Sequence, residues 1–169
     1  MRRAFTLIEL LVVVIMMSVM AAVVVPGLDS VRGVQRDAGA WEIRRELLSA
    51  QAHARAVGRP HGIELDATAD TLRAVWYSTT GDVAPALTAS GRESVLRSLG
   101  EDFAGLDITE IDPGDGTGVT SVTVWFDYLG RPELRDADGT DPARPTQAPT
   151  ITLAEGDPIE VDPVSGVVR

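Results

Sequence analysis

Glu9 is a carboxylate set inside an apolar stretch, Phe5 through Val25, which reads FTLIELLVVVIMMSVMAAVVV. An ionised acid at bilayer depth costs about 2.5–3.5 kcal/mol even on a lenient insertion scale, so such a residue is kept for a purpose. The other polar side chains of the stretch, Thr6 and Ser18, carry no charge that could neutralise it. The chemistry on offer is charge pairing in a medium of low dielectric. The partner would be a positive group on another chain, or this chain's own amino terminus if a leader is removed.

The remaining candidates for chemistry are few. His53 and His61 flank the expected end of a helix with no cysteine in the chain, and a metal site wants three or four converging ligands. Both read as surface residues, and no catalytic constellation emerges around them. Asp136-Ala137-Asp138-Gly139-Thr140-Asp141 has the look of a calcium loop, since hard cations want several carboxylate oxygens about a tight glycine turn. Asp141 stands where the sixth-position glycine belongs, and Gln147 where the twelfth-position acid belongs. Asp136, Asp138 and Asp141 therefore read as a solvated acidic loop. No enzymatic activity, metal or cofactor is expected. Trp41, Trp76 and Trp125 read as structural packing.

The elements that must position Glu9 come first in the chain. A helix over Phe5–Val25 would cover roughly 30 Å, about one bilayer core. Arg2 and Arg3 precede it and predict a cytoplasmic amino end, with Pro26 just after it. The helix is expected to continue beyond the span. Val31, Val34, Ala38, Trp41, Leu48 and Ala52 recur at intervals of three, four or seven along one face. Asp29 and Ser30 are candidate N-caps after Pro26-Gly27, and Gly33 and Gly39 weaken the helix around them. Gly58-Arg59-Pro60 ends it, pairing a capping glycine with a residue that cannot continue the ladder.

After Pro60 the pattern shortens into extended runs at Gly62–Asp66, Leu72–Ser78, Glu93–Leu99, Leu106–Ile111 and Val119–Asp127, then Thr150–Leu153, Pro158–Val161 and Val167–Arg169. Val122, Val124 and Phe126 alternate with Thr123, Trp125 and Asp127, the period of a strand with two unlike faces. Turn residues punctuate the runs at Gly81-Asp82, Asp112–Gly116, Leu129-Gly130 and Ser165-Gly166. The fold class expected is α+β: a long N-terminal transmembrane and spine helix followed by an antiparallel all-β head, as a sandwich or open barrel. The expected division is residues 1–4 as leader, 5–25 as transmembrane helix, 26–58 as the periplasmic continuation of the helix and 59–169 as the head.

Charge follows the same division. The chain of 169 residues has a net charge of −10, yet residues 1–60 carry 8 arginines against 5 acids while residues 61–169 carry 7 against 20. So acidic a head repels polyphosphate, and no nucleic-acid partner is expected. Arg131, Arg135, Arg144 and Arg169 are the residues from which a local basic patch could be built. With no cysteine, the head must be held by packing alone.

Arg2-Arg3-Ala4-Phe5-Thr6-Leu7-Ile8-Glu9-Leu10-Leu11-Val12-Val13 resembles the class III signal of type IV pilins and type II secretion pseudopilins. The resemblance implies a cut by prepilin peptidase between Ala4 and Phe5, N-methylation of Phe5, and a role in assembly for Glu9, then the fifth residue of the mature chain. It also implies a helix bend at Pro26. Ala4 departs from the family's usual glycine. A spine helix followed by strands is similar to the H-type minor pseudopilins. The run Leu47–Pro60 and the ending Ile159–Arg169, with Pro163 and Gly166 at a turn, carry that narrower likeness more weakly. The function implied by this likeness is that of a structural subunit of an inner-membrane-anchored pseudopilus for protein export, with its head in the periplasm. Its partners would be other pilin-like subunits, prepilin peptidase and membrane lipid. The alternative is a minor type IV pilin serving motility, adhesion or DNA uptake. An ordinary signal peptide ending near Ala21-Ala22 does not account for Glu9 or for the unbroken run to Val25, and a plain anchor leaves Glu9 unexplained.

Overall fold

A computed structural model of the chain describes residues 6–78, 81–87, 91–136 and 139–169, with the backbone alone for 23–30. Its first element is α1, Leu7–Val57, a single helix of 51 residues. Thr6 caps its start, and Gly58 ends it in the left-handed region (φ 69°), donating its N–H to the Ala54 carbonyl at 3.0 Å. That conformation suits glycine, and Pro60 two residues on forbids further helix. The stop is where the sequence places it. The helix runs unbroken through Pro26, so Asp29 and Ser30 lie inside α1 and do not start a second helix. Among the described residues no helix is long and apolar enough to cross a membrane. The apolar part of α1 whose side chains are described runs from Leu7 only to Ala22, short of the about 20 residues a span requires.

Among the described residues the head contains nine short strands and one helical turn. They are β1 His61–Asp66, β2 Thr71–Tyr77, β3 Val83–Pro85, β4 Arg97–Ser98, α2 Leu99–Asp102, β5 Ile108–Asp112, β6 Ser121–Phe126, β7 Pro132–Glu133, β8 Thr150–Leu153 and β9 Ile159–Glu160. All pairings are antiparallel. One sheet has the order β3-β2-β1-β6-β7, with β4 also against β2; the other has the order β5-β8-β9. The class is α+β, as expected.

Strand β1 lies at the centre of the larger sheet, with Ile63 opposite Ala74 on one side and Val124 on the other. Its period of two sends Ile63 and Leu65 into the core and turns Glu64 outward. There Glu64 faces Arg73 of β2, which donates to it through Nε at 2.9 Å and a terminal nitrogen at 2.5 Å. Ile63, Leu65, Val124 and Phe126 share one buried cluster with Ile111, Ile151 and Ile159 of the smaller sheet and with Ile43 and Leu47 of α1. The C-terminal part of the helix is thus a component of the head.

The face of α1 that enters this core is not the expected one. Ala40, Ile43, Leu47, Ala50 and Ala54 are buried, whereas Val31, Val34, Ala38, Trp41, Leu48 and Ala52 are exposed. Both sets repeat at three and four residues, so periodicity alone could not choose between them. Gly39 shows why the helix seats where it does. A Cβ there would stand 2.8 Å from a Leu106 methyl and 3.1 Å from Phe103 Cβ, so the glycine permits close approach at the expense of helix propensity. Further along, the buried Gln51 donates its amide to the carbonyls of Gly130 and Gly166, both at 2.8 Å, and of Ser165 at 3.2 Å. Arg55 adds a bond to the Leu129 carbonyl at 3.0 Å. Two turns of the head are tied in this way to one side of the helix.

Two expected strands are altered. Glu93–Leu99 contributes only β4 and an isolated bridge at Glu93, because Ser98 caps α2, accepting from Glu101 N at 3.3 Å. At Val167–Arg169 the ladder is reduced to a bridge between Val161 and Val168 with paired bonds between Glu160 and Arg169.

Candidate assembly surface

Ala4 and Phe5, the expected cleavage and methylation site, lie outside the described residues, as does the side chain of Pro26. Glu9 is described, and it is not without a partner in its own segment. Thr6 Oγ1 accepts from Glu9 N at 3.3 Å, while the Glu9 carboxylate accepts from Thr6 N at 3.4 Å and from Thr6 Oγ1 at 3.3 Å. This reciprocal capping box satisfies two of the orphan donors at the helix start and sets the negative charge against the positive end of the helix dipole. The sequence signal was available in the spacing of Thr6 and Glu9. Thr6 is neutral, so among the described residues no cation pairs with the Glu9 carboxylate.

Beyond the cap, the large apolar side chains from Leu7 through Met20 are exposed, Leu7 by 86 %. Farther along α1, Val31, Val34, Trp41 and Leu48 are exposed as well. Trp41 is 68 % exposed, with the Arg44 guanidinium 5.9 Å from its ring centroid, so it is not core packing as the sequence suggested. An apolar surface of this extent on a monomer marks a protein or membrane contact. Trp125, in contrast, is buried, and Trp76 sits half-buried beside His61.

The other candidates are distributed over the head. Asp136 spends its carboxylate on Thr140, accepting from the backbone N–H at 2.7 Å and the hydroxyl at 2.8 Å, and Asp141 adopts a left-handed conformation (φ 47°). Asp138 lies outside the described residues, and among the described residues no three His, Cys, Asp or Glu side chains gather as metal ligands. Arg131, Arg135 and Arg144 do converge, lining a pocket of about 360 Å³ with Asp127 and Glu133. The acids balance most of that charge. Asp127 pairs with Arg131 at 3.1 Å and Arg144 at 3.4 Å, and Glu133 with Arg135 at 3.1 Å. Burial pushes the Glu133 carboxyl above its ordinary value, with the positive charge of Arg135 opposing the shift. Arg169 is not among the residues lining this pocket.

His61 is buried, at 6 % exposure, which corrects its reading as a surface residue; His53 is exposed. The two rings are stacked, with centroids 6.0 Å apart, and both line a cleft of about 730 Å³ between α1 and the segment leading to β4. Neither was expected to meet the other, since the contact depends on how the chain turns back at Gly58.

Compared with known proteins, the chain matches no family model, no curated protein and no solved structure.

Proposed function

We propose that the chain is a structural subunit of a pilin-like fibre, of the kind found as H-type minor pseudopilins of type II secretion. The observation that carries this reading is the class III signal in a single register: Ala4-Phe5, then Glu9, then Pro26. It is supported by a long helix that is apolar and exposed at its start and integrated into an antiparallel head at its end. In this reading residues 1–4 are a leader, 5–25 lie in the inner membrane before assembly, and the head is periplasmic. After cleavage the Phe5 amine of one subunit neutralises Glu9 of another. In a low dielectric an unpaired charge is costly, so the pair fixes the axial register of neighbouring subunits. A minor type IV pilin would use the same chemistry, and the genes beside this one distinguish the two.

The test is substitution of Glu9. Glu9→Leu is expected to leave insertion and cleavage intact and to reduce cross-linking to the other pilin-like subunits at least about tenfold, the loss of roughly 1.4 kcal/mol or more of pairing energy. Glu9→Asp falls between, keeping the charge on a shorter arm. Equal co-assembly of Glu9→Leu and wild type would reject the amine–carboxylate mechanism.

A further inference from the structure

Asp127 follows directly on β6 and organises the turn that comes after it. Its Oδ1 accepts from the N–H groups of Leu129 at 2.9 Å and Arg131 at 2.8 Å, while Oδ2 accepts from Arg131 Nε at 3.1 Å and from Arg144 at 3.4 Å. Paired backbone bonds between Leu134 and Ala143, at 2.9 and 3.0 Å, bring Arg144 back to this turn. Asp127 is thus filled by donors, yet one shared oxygen cannot accept from all the N–H groups that two guanidinium groups carry. Burial sorts the charges that line the pocket of about 360 Å³. The side chains of Asp127 and Glu133 are only 9 % and 11 % exposed, whereas those of Arg131 and Arg144 are 36 % and 53 % exposed. The acids hold the arginines from the buried side, and the charge presented at the mouth is positive. Arg135 also lines the pocket, its guanidinium 4.9 Å from the Tyr77 ring centroid, with bonds to Glu133 and to the Gly139 carbonyl. Its buried Nε has no hydrogen-bond partner among the described residues. Such a donor is rare, and in a pocket it marks room for an acceptor.

We propose that this pocket binds a single carboxylate group carried on a small apolar body, with the guanidinium groups of Arg131 and Arg144 as its anchors. The balance of charge selects a monoanion. Arg131 and Arg144 against Asp127 leave one positive charge, and Arg135 against Glu133 leaves none. A phosphate dianion would set a surplus negative charge beside buried Asp127, a cost that a carboxylate does not incur. A planar guanidinium also matches a carboxylate through two parallel bonds. The apolar body is indicated by the rest of the lining, which includes Pro60, Pro142, Ala143 and the exposed ring of Tyr128. At about 360 Å³ the space lies near the lower end of ligand sites, which run about 300–1,000 Å³. Two sources offer this chemistry: a free carboxylic acid, and the terminal carboxylate of a peptide chain. The proposal is independent of the assembly reading.

The experiment is an NMR titration of the full chain, isotope-labelled at its arginine nitrogens, in nonionic micelles at fixed ionic strength. The probes are isocaproate, N-acetyl-leucine, the uncharged N-acetyl-leucinamide and inorganic phosphate. Saturable shifts of arginine Nε–H signals are expected with the two carboxylates at a Kd below about 10 mM, with phosphate weaker and the amide silent. An affinity for N-acetyl-leucine several-fold above that for isocaproate assigns the site to a chain terminus; the absence of that preference assigns it to a free acid. Either result bears the proposal out. Arg144→Gln is expected to weaken carboxylate binding at least about tenfold. Because the Arg144 side chain is half-exposed, an unchanged circular dichroism spectrum separates loss of the anchor from loss of the fold. The comparison of acid with amide needs no variant. Undiminished binding in Arg144→Gln, no saturable shift below about 10 mM, an amide that binds as well as its acid, or phosphate binding more tightly than either carboxylate would each overturn the proposal.

Discussion

The bonds from Thr6 to the Glu9 carboxylate, at 3.3 and 3.4 Å, are long for hydrogen bonds to a charged acceptor, and neither comes from a cation. Capping is therefore compatible with the proposed pairing: the cap orients the side chain at the helix start and leaves its charge for a cation from another subunit to meet. Glu9 was visible in the sequence because a single acid interrupts an apolar run. The histidine pair was not, because its two members approach only through the left-handed turn at Gly58. Burial lowers the pKa of His61 below its ordinary 6.5, the Arg59 carbonyl opposes the shift, and the nearby His53 adds to it. With the folded pKa below the unfolded one, the unfolded chain takes up the proton first as pH falls. Stability contributed by neutral His61 is thus complete above about pH 6.5 and is lost as pH falls from there through the lowered folded value. Urea unfolding should show a midpoint that declines between about pH 6.5 and the carboxylate range, and His61→Gln should flatten that decline. An equal slope in both proteins would remove His61 as its source.

At the scale of elements, α1 carries two apolar stripes, about one residue out of phase, and the sequence could not say which one meets the head. Size did not decide it. The stripe bearing the larger Trp41 is exposed, and the one with Gly39, Ala40, Ala50 and Ala54 is inside, because small residues let the helix approach the sheets closely. Longer strands were legible from alternation and punctuation, as at Gly62–Asp66 and Thr150–Leu153. Strands β3 and β7, of three and two residues with a proline in each, are too short and too irregular to leave a periodic signal. The turn α2 did leave one, since Ser98 and Glu101 stand at capping spacing, but the apolar residues before it read more strongly as a strand. The two stripes should separate by mutation. Leu47→Ala, fully buried, is expected to cost about 2–5 kcal/mol in denaturant unfolding. Trp41→Ala is expected to change stability by no more than about 0.5 kcal/mol and, on the proposed function, to lower co-purification with pilin-like subunits. A large loss of stability at Trp41 would mean that its face is packed within the chain.

Across the whole molecule, charge and hydropathy are divided along the chain. The large apolar side chains from Leu7 through Met20 are exposed, and the acid excess lies wholly beyond residue 60. An element so exposed is costly in water, and its cost is removed either by lipid or by neighbouring helices. Both settings belong to the life of a pilin-like subunit, before and after assembly. The head, with no cysteine, rests on one cluster shared by α1 and both sheets and on the ties from Gln51 and Arg55. The most direct test of pilin-like processing is the mass of the amino-terminal peptide of the protein recovered from the membranes of cells that carry an active prepilin peptidase. The expected chain begins at Phe5 and carries an added methyl group on its amine. An uncut Met1 terminus in those cells, or a soluble product beginning near Val23, would contradict it.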